Sequence, residues 1–189
     1  MPHTAKPTRN RIVEAAAKLF HSEGIGRVSV DAVAEKAGLT KRTLYYHFRS
    51  KDDLIAAYLE MRDQPNLLLF QRWYEEADGD ASDRIREIFK HLAAAARHPK
   101  WKGCGFQRTS VELFHLPGHP ALKVGRVHKK RVEDWLYSIF DRTRAPDAAR
   151  QLARQIILLL DGAFAVALLH RDPSYIESAG DAAASLVRQ

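Results

Sequence analysis

The sequence predicts an all-α protein of about nine helices, because helical signals run from one end to the other. In the first predicted helix, from about Arg9 to Ser22, apolar residues follow the three- and four-residue spacing that places them on one face. Turn-forming stretches such as DGDAS (78–82) and LPGHP (116–120) separate the later segments. Neither the apolar-polar alternation of strands nor an internal repeat is visible in the sequence.

Length and composition are typical of a globular protein. A chain of 189 residues with 46% apolar residues can bury a sizeable core in one or two domains. No stretch approaches about 18 consecutive apolar residues, so no membrane span is expected. The N-terminus lacks the apolar segment of a secretory signal. A single cysteine, Cys104, excludes an internal disulfide, and we expect a cytoplasmic protein.

Positive charge is concentrated near the N-terminus. Residues 1–51 contain ten Lys or Arg and four Asp or Glu, which gives +6 of the total net charge of +7. The other residues are almost neutral in sum. This distribution indicates that only the N-terminal region meets a polyanion.

Two short helices joined by a glycine-containing turn are predicted within residues 30–47. The first, VDAVAEKAG, places Val33 and Ala37 inward, and Gly38 can take the left-handed conformation that ends a helix. Thr40 can cap the second helix. Helix, turn and helix together form the unit whose second helix enters the DNA major groove. An ordinary helical hairpin with a solvated outer face is the alternative.

The predicted recognition helix has one apolar and one polar face. Leu44 and Phe48 are four residues apart and anchor one face to a core. Arg42 and Tyr46 lie nearly opposite them. Arg42 can pair with guanine O6 and N7, and Tyr45 can contact a thymine methyl group or a phosphate. The face therefore carries the side-chain types that read and grip DNA.

The stretch from Arg11 to Leu59 (RIVEAAAKLFHSEGIGRVSVDAVAEKAGLTKRTLYYHFRSKDDLIAAYL) resembles the N-terminal domain of the Tet repressor (TetR) family of bacterial regulators. LYYHF and SKDDL carry most of the resemblance, which covers about a quarter of the chain. It implies a helix-turn-helix domain at residues 1–50, with an arm at 1–8, and a helical ligand-binding and dimerisation domain at 51–189. By resemblance, Tyr46 and His47 contact phosphates.

Residues near the helix starts complete the predicted DNA-binding site. Ser29 can cap the second helix, whose free N–H groups can also bind a phosphate. Lys51 opens the fourth helix, which Ser50 can cap. Lys6, Arg9 and Arg11 can reach phosphates or a minor groove, unless the arm is only a solvated basic terminus. The predicted set is Ser29, Thr40, Lys41, Arg42, Thr43, Tyr45, Tyr46, His47 and Lys51.

Further helices are predicted after residue 50. Pro65 is expected to kink or break the fourth helix, because proline removes a backbone donor and clashes with the preceding turn. The predicted helical segments that follow are 66–77 (NLLLFQRWYEEA), 82–97, 106–116, 121–143, 146–170 and one from about 172 to 187. The stretch QIILLLDGAFAVALL is apolar nearly all round and is expected to be buried on several sides.

The resemblance implies two properties of the second domain. Its last two helices would pair with those of a second copy in a homodimer, although the same apolar surface can serve as an intrachain core. A cavity in it would bind a small-molecule inducer. Aromatic residues at helical spacing are more often core than pocket. The candidate pocket residues are Phe70, Trp73, Phe89, Trp101, Cys104, Phe106, Phe114, Trp135 and Phe164.

Signals for catalysis or metal binding are weak. The sequence has no nucleophile elbow, phosphate-binding glycine loop or zinc-protease motif. Among nine histidines, His91 and His98 can share a helix face, but no tight group of ligands accompanies them. Cys104, near Lys102, is a candidate redox sensor, although a lone cysteine is more often buried filler. We therefore predict a non-enzyme without metal or cofactor.

These observations favour a ligand-responsive transcriptional regulator. As a repressor it would occupy a palindromic operator of double-stranded DNA and be released by a small-molecule effector. An activator or dual regulator of the same fold is one alternative. A small-molecule binding protein or enzyme with a vestigial helix-turn-helix is another, and a nonspecific architectural DNA binder is a third.

Overall fold

The computed structural model describes residues 7–189, and within them it contains nine helices and no strand. This confirms the predicted all-α fold; Lys6 and most of the predicted arm lie outside the described residues. The helices are α1 (Thr8–Glu23), α2 (Val30–Lys36), α3 (Lys41–His47), α4 (Lys51–Glu76), α5 (Ala81–Ala96), α6 (Gly105–Leu113), α7 (Pro120–Phe140), α8 (Pro146–His170) and α9 (Ser174–Arg188).

Pro65 was expected to kink or break the fourth helix; it does not break it, since α4 continues through it to Glu76. The kink stays a prediction. A proline inside a helix costs about 3 kcal/mol through the lost hydrogen bond and the clash. Packing on both sides offsets this cost. Residues 54–59 are buried before the proline, and Leu67, Phe70 and Trp73 pack against a buried cluster after it.

The chain forms two compact units. The first unit contains Met1–Asp63, described from Pro7 onward, and Gly105–Gly125. The second unit contains Gln64–Cys104 and Arg126–Gln189. The three boundaries fall inside α4, at the start of α6 and inside α7, and not at residue 50. The functional division at residue 50 stays a prediction, but α6 is packed with the helix-turn-helix region.

The core of the first unit fixes α1, α2 and α3 against one another. Ile12 and Ala16 of α1 are fully buried, as is Leu44 of α3. Phe20 meets the ring of Tyr58 edge to face at 5.6 Å between centroids. These apolar positions were predicted as inward by their spacing, and their burial leaves the polar side of α3 free.

The core of the second unit is a cluster drawn from α5, α7, α8 and α9. Gly180 of α9 lies directly over Phe89 of α5, where an added Cβ would be 2.6 Å from the Phe89 Cβ. This close approach needs a residue without a side chain. It explains why a glycine interrupts an otherwise good helical segment.

Helix α8 is less buried than expected. Its stripe around Ile156 and Leu160 faces the core, but Leu158 is 71% exposed and Leu169 is 77% exposed. By length and composition, α8 is long and apolar enough to cross a membrane, since an 18-residue stretch of it has a mean hydropathy of 1.9. Core helices of soluble proteins can have the same length and apolar composition. The finding that matters is an uncovered apolar face.

Candidate DNA-binding surface

The turn between α2 and α3 is set by local hydrogen bonds. The Ser29 hydroxyl accepts from the Ala32 amide at 3.0 Å and caps α2. Gly38 ends this helix with φ of +65°, and the Leu39 amide donates to the Ala34 carbonyl at 2.9 Å. Gly38 is required here because the left-handed conformation strains residues that have a Cβ. The predicted turn is therefore present.

Helix α3 is fixed at its start and along its inner face. The Thr40 hydroxyl accepts from the Thr43 amide at 3.2 Å, as predicted for the cap. Leu44 is fully buried and Phe48 is 4% exposed. Because the cap and the buried face fix the helix rotation, the outward direction of the other side chains is fixed too.

The outer face of α3 presents aromatic and cationic groups to solvent. Tyr46 is 86% exposed and Tyr45 is 45% exposed. The His47 ring meets the Tyr46 ring edge to face at 5.2 Å. Arg42 is exposed and has no ion-pair partner among residues 7–189. An unpaired guanidinium on a rigid helix is available to a guanine edge or to a phosphate.

Two other members of the predicted set already have partners inside the protein. Lys41 Nζ lies 2.9 Å from Asp31 Oδ2 of α2. The hydrogen bond with Asp31 and its negative charge raise the pKa of Lys41. The Thr43 hydroxyl lies 2.9 Å from that of Thr40. Lys41 therefore joins α2 to α3, and the sequence analysis missed Asp31 as its partner.

Lys51 opens α4 beside two carboxylates. The Ser50 hydroxyl accepts from the Asp53 amide at 3.1 Å and caps this helix, as predicted. Asp52 and Asp53 occupy the same first turn. Their charges reduce the positive potential around Lys51 and limit its attraction for a phosphate.

The two basic residues of α1 that were expected to reach DNA are exposed, but each also contacts a group of the protein itself. Arg11 Nη2 donates to the Ala37 carbonyl at 2.8 Å, at the end of α2. The Arg9 guanidinium lies over the Phe48 ring, 5.0 Å from its centroid. The physical reason is that the last carbonyls of a helix lack intrahelical donors, and a nearby arginine supplies one.

Sequence analysis also missed three side chains that contact the helix-turn-helix region from residues 105–125. Arg108 Nη1 donates to the His21 carbonyl at 3.3 Å. Glu112 Oε2 accepts from the Gly26 amide at 3.0 Å. His119 Nε2 lies 3.2 Å from Asp52 Oδ1, but the alignment is too poor for a hydrogen bond. No local sequence signal could have found these long-range contacts.

Two of the predicted pocket residues line depressions in the described part of the chain. Trp73 stacks on His91 at 4.8 Å and lines an open depression of about 540 Å³ with charged neighbours. Trp101 lines another of about 310 Å³ and packs on Phe164 at 6.2 Å. Phe89 is fully buried beneath Gly180.

The remaining candidates are spread over both units. In the first unit, Phe106 is fully buried, whereas Phe114 is 76% exposed. In the second unit, Phe70, Trp135 and the free thiol of Cys104 are partly buried against the core cluster. The effector site therefore stays a prediction.

One buried histidine belongs to the second unit. Burial lowers the pKa of His128 to about 4; the neighbouring Lys129 ammonium acts in the same direction, and Asp161 opposes it. Lys129 and Asp161 form an ion pair with each other. Residues 7–189 contain no group of three His, Cys, Asp or Glu side chains that could hold a metal ion. His128 is thus a neutral core residue at physiological pH.

Comparison with known proteins links this surface to a family. The family model described as "Bacterial regulatory proteins, tetR family" matches residues 12–58, which include α1, α2 and α3. The HTH-type transcriptional regulator AcrR of Shigella flexneri is 31% identical over 88 residues, covering 47% of this chain and 41% of that protein. TtgR of Pseudomonas putida is 31% identical over 97 residues, covering 49% of this chain and 46% of that protein. Each alignment thus spans less than half of the curated relative.

Solved structures match over nearly the whole chain. A putative TetR transcriptional regulator from Streptomyces avermitilis is 32% identical, with a TM-score of 0.79 and coverage of 94% of this chain and 98% of that one. A TetR-family transcriptional regulator from Streptomyces coelicolor is 26% identical, with a TM-score of 0.80 and coverage of 96% and 94%. The similarity therefore extends well beyond the helix-turn-helix.

Proposed function

Because the chain belongs to the TetR family of bacterial regulatory proteins, we propose that it is a cytoplasmic DNA-binding transcription regulator that represses from a palindromic site. The observation that carries the proposal is the outer face of α3. Arg42 and Tyr46 are exposed on a helix whose cap and buried side fix their direction. Because these side chains are already oriented in the free protein, less conformational entropy is lost when one of them contacts a base edge.

A homodimer would double the length of DNA that is read. One recognition helix contacts only a few base pairs, whereas two that are about 34–36 Å apart read both halves of a palindrome. The exposed face of α8 supports this pairing. Leu158, Val166 and Leu169 are exposed there, and an added Cβ at Gly162 would have nothing within 4 Å. A small residue in an apolar stripe lets a partner helix come close.

Release by a small molecule completes the proposed function. The effector would bind the second unit and favour a dimer whose half-site spacing no longer fits the operator. This mechanism requires the effector to bind one conformation more tightly than the other. The aromatic residues of that unit support an effector with an apolar part.

The test of DNA recognition is selection from random duplexes by the purified protein at ~150 mM salt, which suppresses nonspecific phosphate binding. We expect a palindrome with two half-sites. Arg42→Ala should relax selection at one or two positions, by about 1–3 kcal/mol of discrimination. Lys51→Ala should weaken all duplexes alike. Absence of any enriched sequence from the folded protein would refute the proposal.

The dimer has its own test in analytical ultracentrifugation. Leu158→Glu places a charge in the proposed apolar interface and should give a folded monomer, because burying an unpaired charge costs several kcal/mol. Val111→Glu is the matched control, since Val111 is a 67% exposed apolar residue of α6 outside that face. A Leu158→Glu variant that remains dimeric would exclude α8 as the interface.

A further inference from the structure

Helix α6 is part of the same compact unit as the helix-turn-helix. The chain leaves that unit after Asp63 and returns to it at Gly105. Phe106, Thr109 and Leu113 are buried, at a spacing of three and four residues. The apolar side of α6 is thus fixed inside the unit, and this fixes the direction of its polar side chains as well.

Two polar side chains of α6 form hydrogen bonds with the end of α1 and with the turn that follows it. Arg108 Nη1 donates to the His21 carbonyl in the last turn of α1, at 3.3 Å. Glu112 Oε2 accepts from the Gly26 amide at 3.0 Å. The second contact is a hydrogen bond from a backbone N–H to a carboxylate, a type that is stronger than a neutral one, although both Gly26 and Glu112 are exposed here.

Gly24, in the turn between α1 and α2, leaves room for the Glu112 carboxylate. Gly24 has a φ of +86°, and an added Cβ there would lie 3.3 Å from Glu112 Oε1. The glycine therefore supplies both the backbone conformation and the space for close approach. The turn leads directly to Ser29, the cap of α2, so its position sets where α2 begins.

A carboxylate at this place is unfavourable for simple attraction to DNA. The first 51 residues carry a net charge of +6, and Glu112 places a negative charge among them. On electrostatic grounds alone, removing it would strengthen binding to every duplex. A positioning role predicts a loss of affinity that is confined to the preferred sequence. The two roles therefore differ in the sign of their effect.

We propose that Glu112 is a positioning residue for specific DNA recognition: its carboxylate holds the turn between α1 and α2 through the Gly26 amide. The proposal rests on the DNA-binding function proposed above. Glu112 touches no base and acts through the start of α2. His119 Nε2 lies 3.2 Å from Asp52 Oδ1 without a hydrogen bond, so residues 105–125 also lie close to the start of α4.

The experiment compares affinity for the selected duplex with affinity for a scrambled duplex of equal length. Glu112→Ala removes both charge and acceptor, and we expect specific affinity to fall about tenfold while nonspecific affinity is unchanged or slightly higher. Glu112→Gln keeps an acceptor and should retain most of the specific affinity. Glu112→Met keeps the side-chain volume without an acceptor and replaces the alanine variant if that one does not fold.

The hydrogen-exchange rate of the Gly26 amide reports on this one contact and does not depend on the overall stability of the protein. The amide should exchange at least several-fold faster in Glu112→Ala than in Glu112→Gln. Glu60→Ala is the matched control, because Glu60 is an exposed carboxylate of α4 in the same unit with no partner among residues 7–189. It should change neither the exchange rate nor the ratio of the two affinities.

The outcomes separate this inference from the function on which it rests. Selection of a duplex by the wild type, followed by equal specific affinity of Glu112→Ala, overturns the inference alone. Faster exchange at Gly26 without loss of specific affinity also overturns it, since the contact would then not position the recognition surface. A wild type that prefers no duplex overturns the proposed function and the inference together.

Discussion

The start of α3 and the turn before α2 are both held by an oxygen that accepts from a backbone amide, but the partners differ in sequence distance. Thr40 caps an amide three residues ahead, whereas Glu112 binds the Gly26 amide 86 residues away. The first contact forms whenever α3 forms. The second exists only when α6 is packed in place. The recognition helix is therefore stabilised by contacts with its neighbours in sequence, whereas the position of the turn before α2 depends on a distant part of the chain.

The close approach of α5 and α9 offers the largest test of dependence on distant contacts. In Gly180→Ala the new Cβ meets the Phe89 side chain at 2.6 Å, so we expect a loss of about 1–3 kcal/mol in the free energy of unfolding. Thermal and urea denaturation measure it. Ser178→Ala, on the exposed side of α9, should change stability by less than about 0.5 kcal/mol. Equal stability of both variants would show that α9 shifts freely.

His128 tests the same dependence through pH. Its pKa is about 4 in the folded chain against an ordinary value of 6.5, so the unfolded chain binds the extra proton. Stability contributed by the neutral ring is full above pH 6.5 and is lost as the pH falls from 6.5 toward 4. His128→Gln should flatten urea-denaturation stability across this window. Parallel curves for the two proteins would contradict the lowered pKa.

The local side of the comparison is tested at the cap of α3. Thr40→Ala leaves the Thr43 amide without its acceptor and should cost about 1 kcal/mol. Thr40→Ser keeps the hydroxyl and serves as the control. If the cap acts only locally, the decreases in the free energy of unfolding caused by Thr40→Ala and by Glu112→Ala should add in the double variant. A clear departure from additivity would mean that α6 and α3 are energetically coupled.

The smallest expected effect concerns the ion pair between α2 and α3. Asp31→Asn releases Lys41 and removes a negative charge near the recognition helix, so affinity for all duplexes should rise a few-fold. Fluorescence anisotropy with selected and scrambled duplexes measures the change. Glu35→Gln, on the exposed side of α2, separates loss of the ion pair from loss of charge alone. Identical gains in DNA affinity for the two variants would show that the Lys41–Asp31 ion pair has no effect beyond its charge.

Sequence reasoning predicted the parts of this molecule that depend on neighbours within a few residues. The caps at Ser29, Thr40 and Ser50 and the left-handed Gly38 all follow from short-range backbone geometry. The inward positions of α1 and α3 follow from helical periodicity. These features together were sufficient to place the helix-turn-helix correctly.

The features that the sequence did not reveal depend on tertiary packing. Pro65 remains inside a helix because packing on both sides outweighs its local cost. The pairs Lys41–Asp31 and Glu112–Gly26 join segments that no periodicity relates. Aromatic residues at helical spacing cannot be sorted into core and pocket, since Phe106 is fully buried and Phe114 is 76% exposed only eight residues later.

The ion pair of Lys41 has a consequence for a cell whose internal potassium changes with osmotic pressure. Each cation that meets a phosphate displaces a condensed counterion, and affinity then falls with rising potassium by a power of about 0.9 per contact. Asp31 offsets the charge of Lys41, and if this exposed pair keeps Lys41 from a phosphate, each subunit of the proposed dimer would contribute one contact fewer than its sequence counts. Operator occupancy would then vary less during osmotic stress than the charge of the chain suggests.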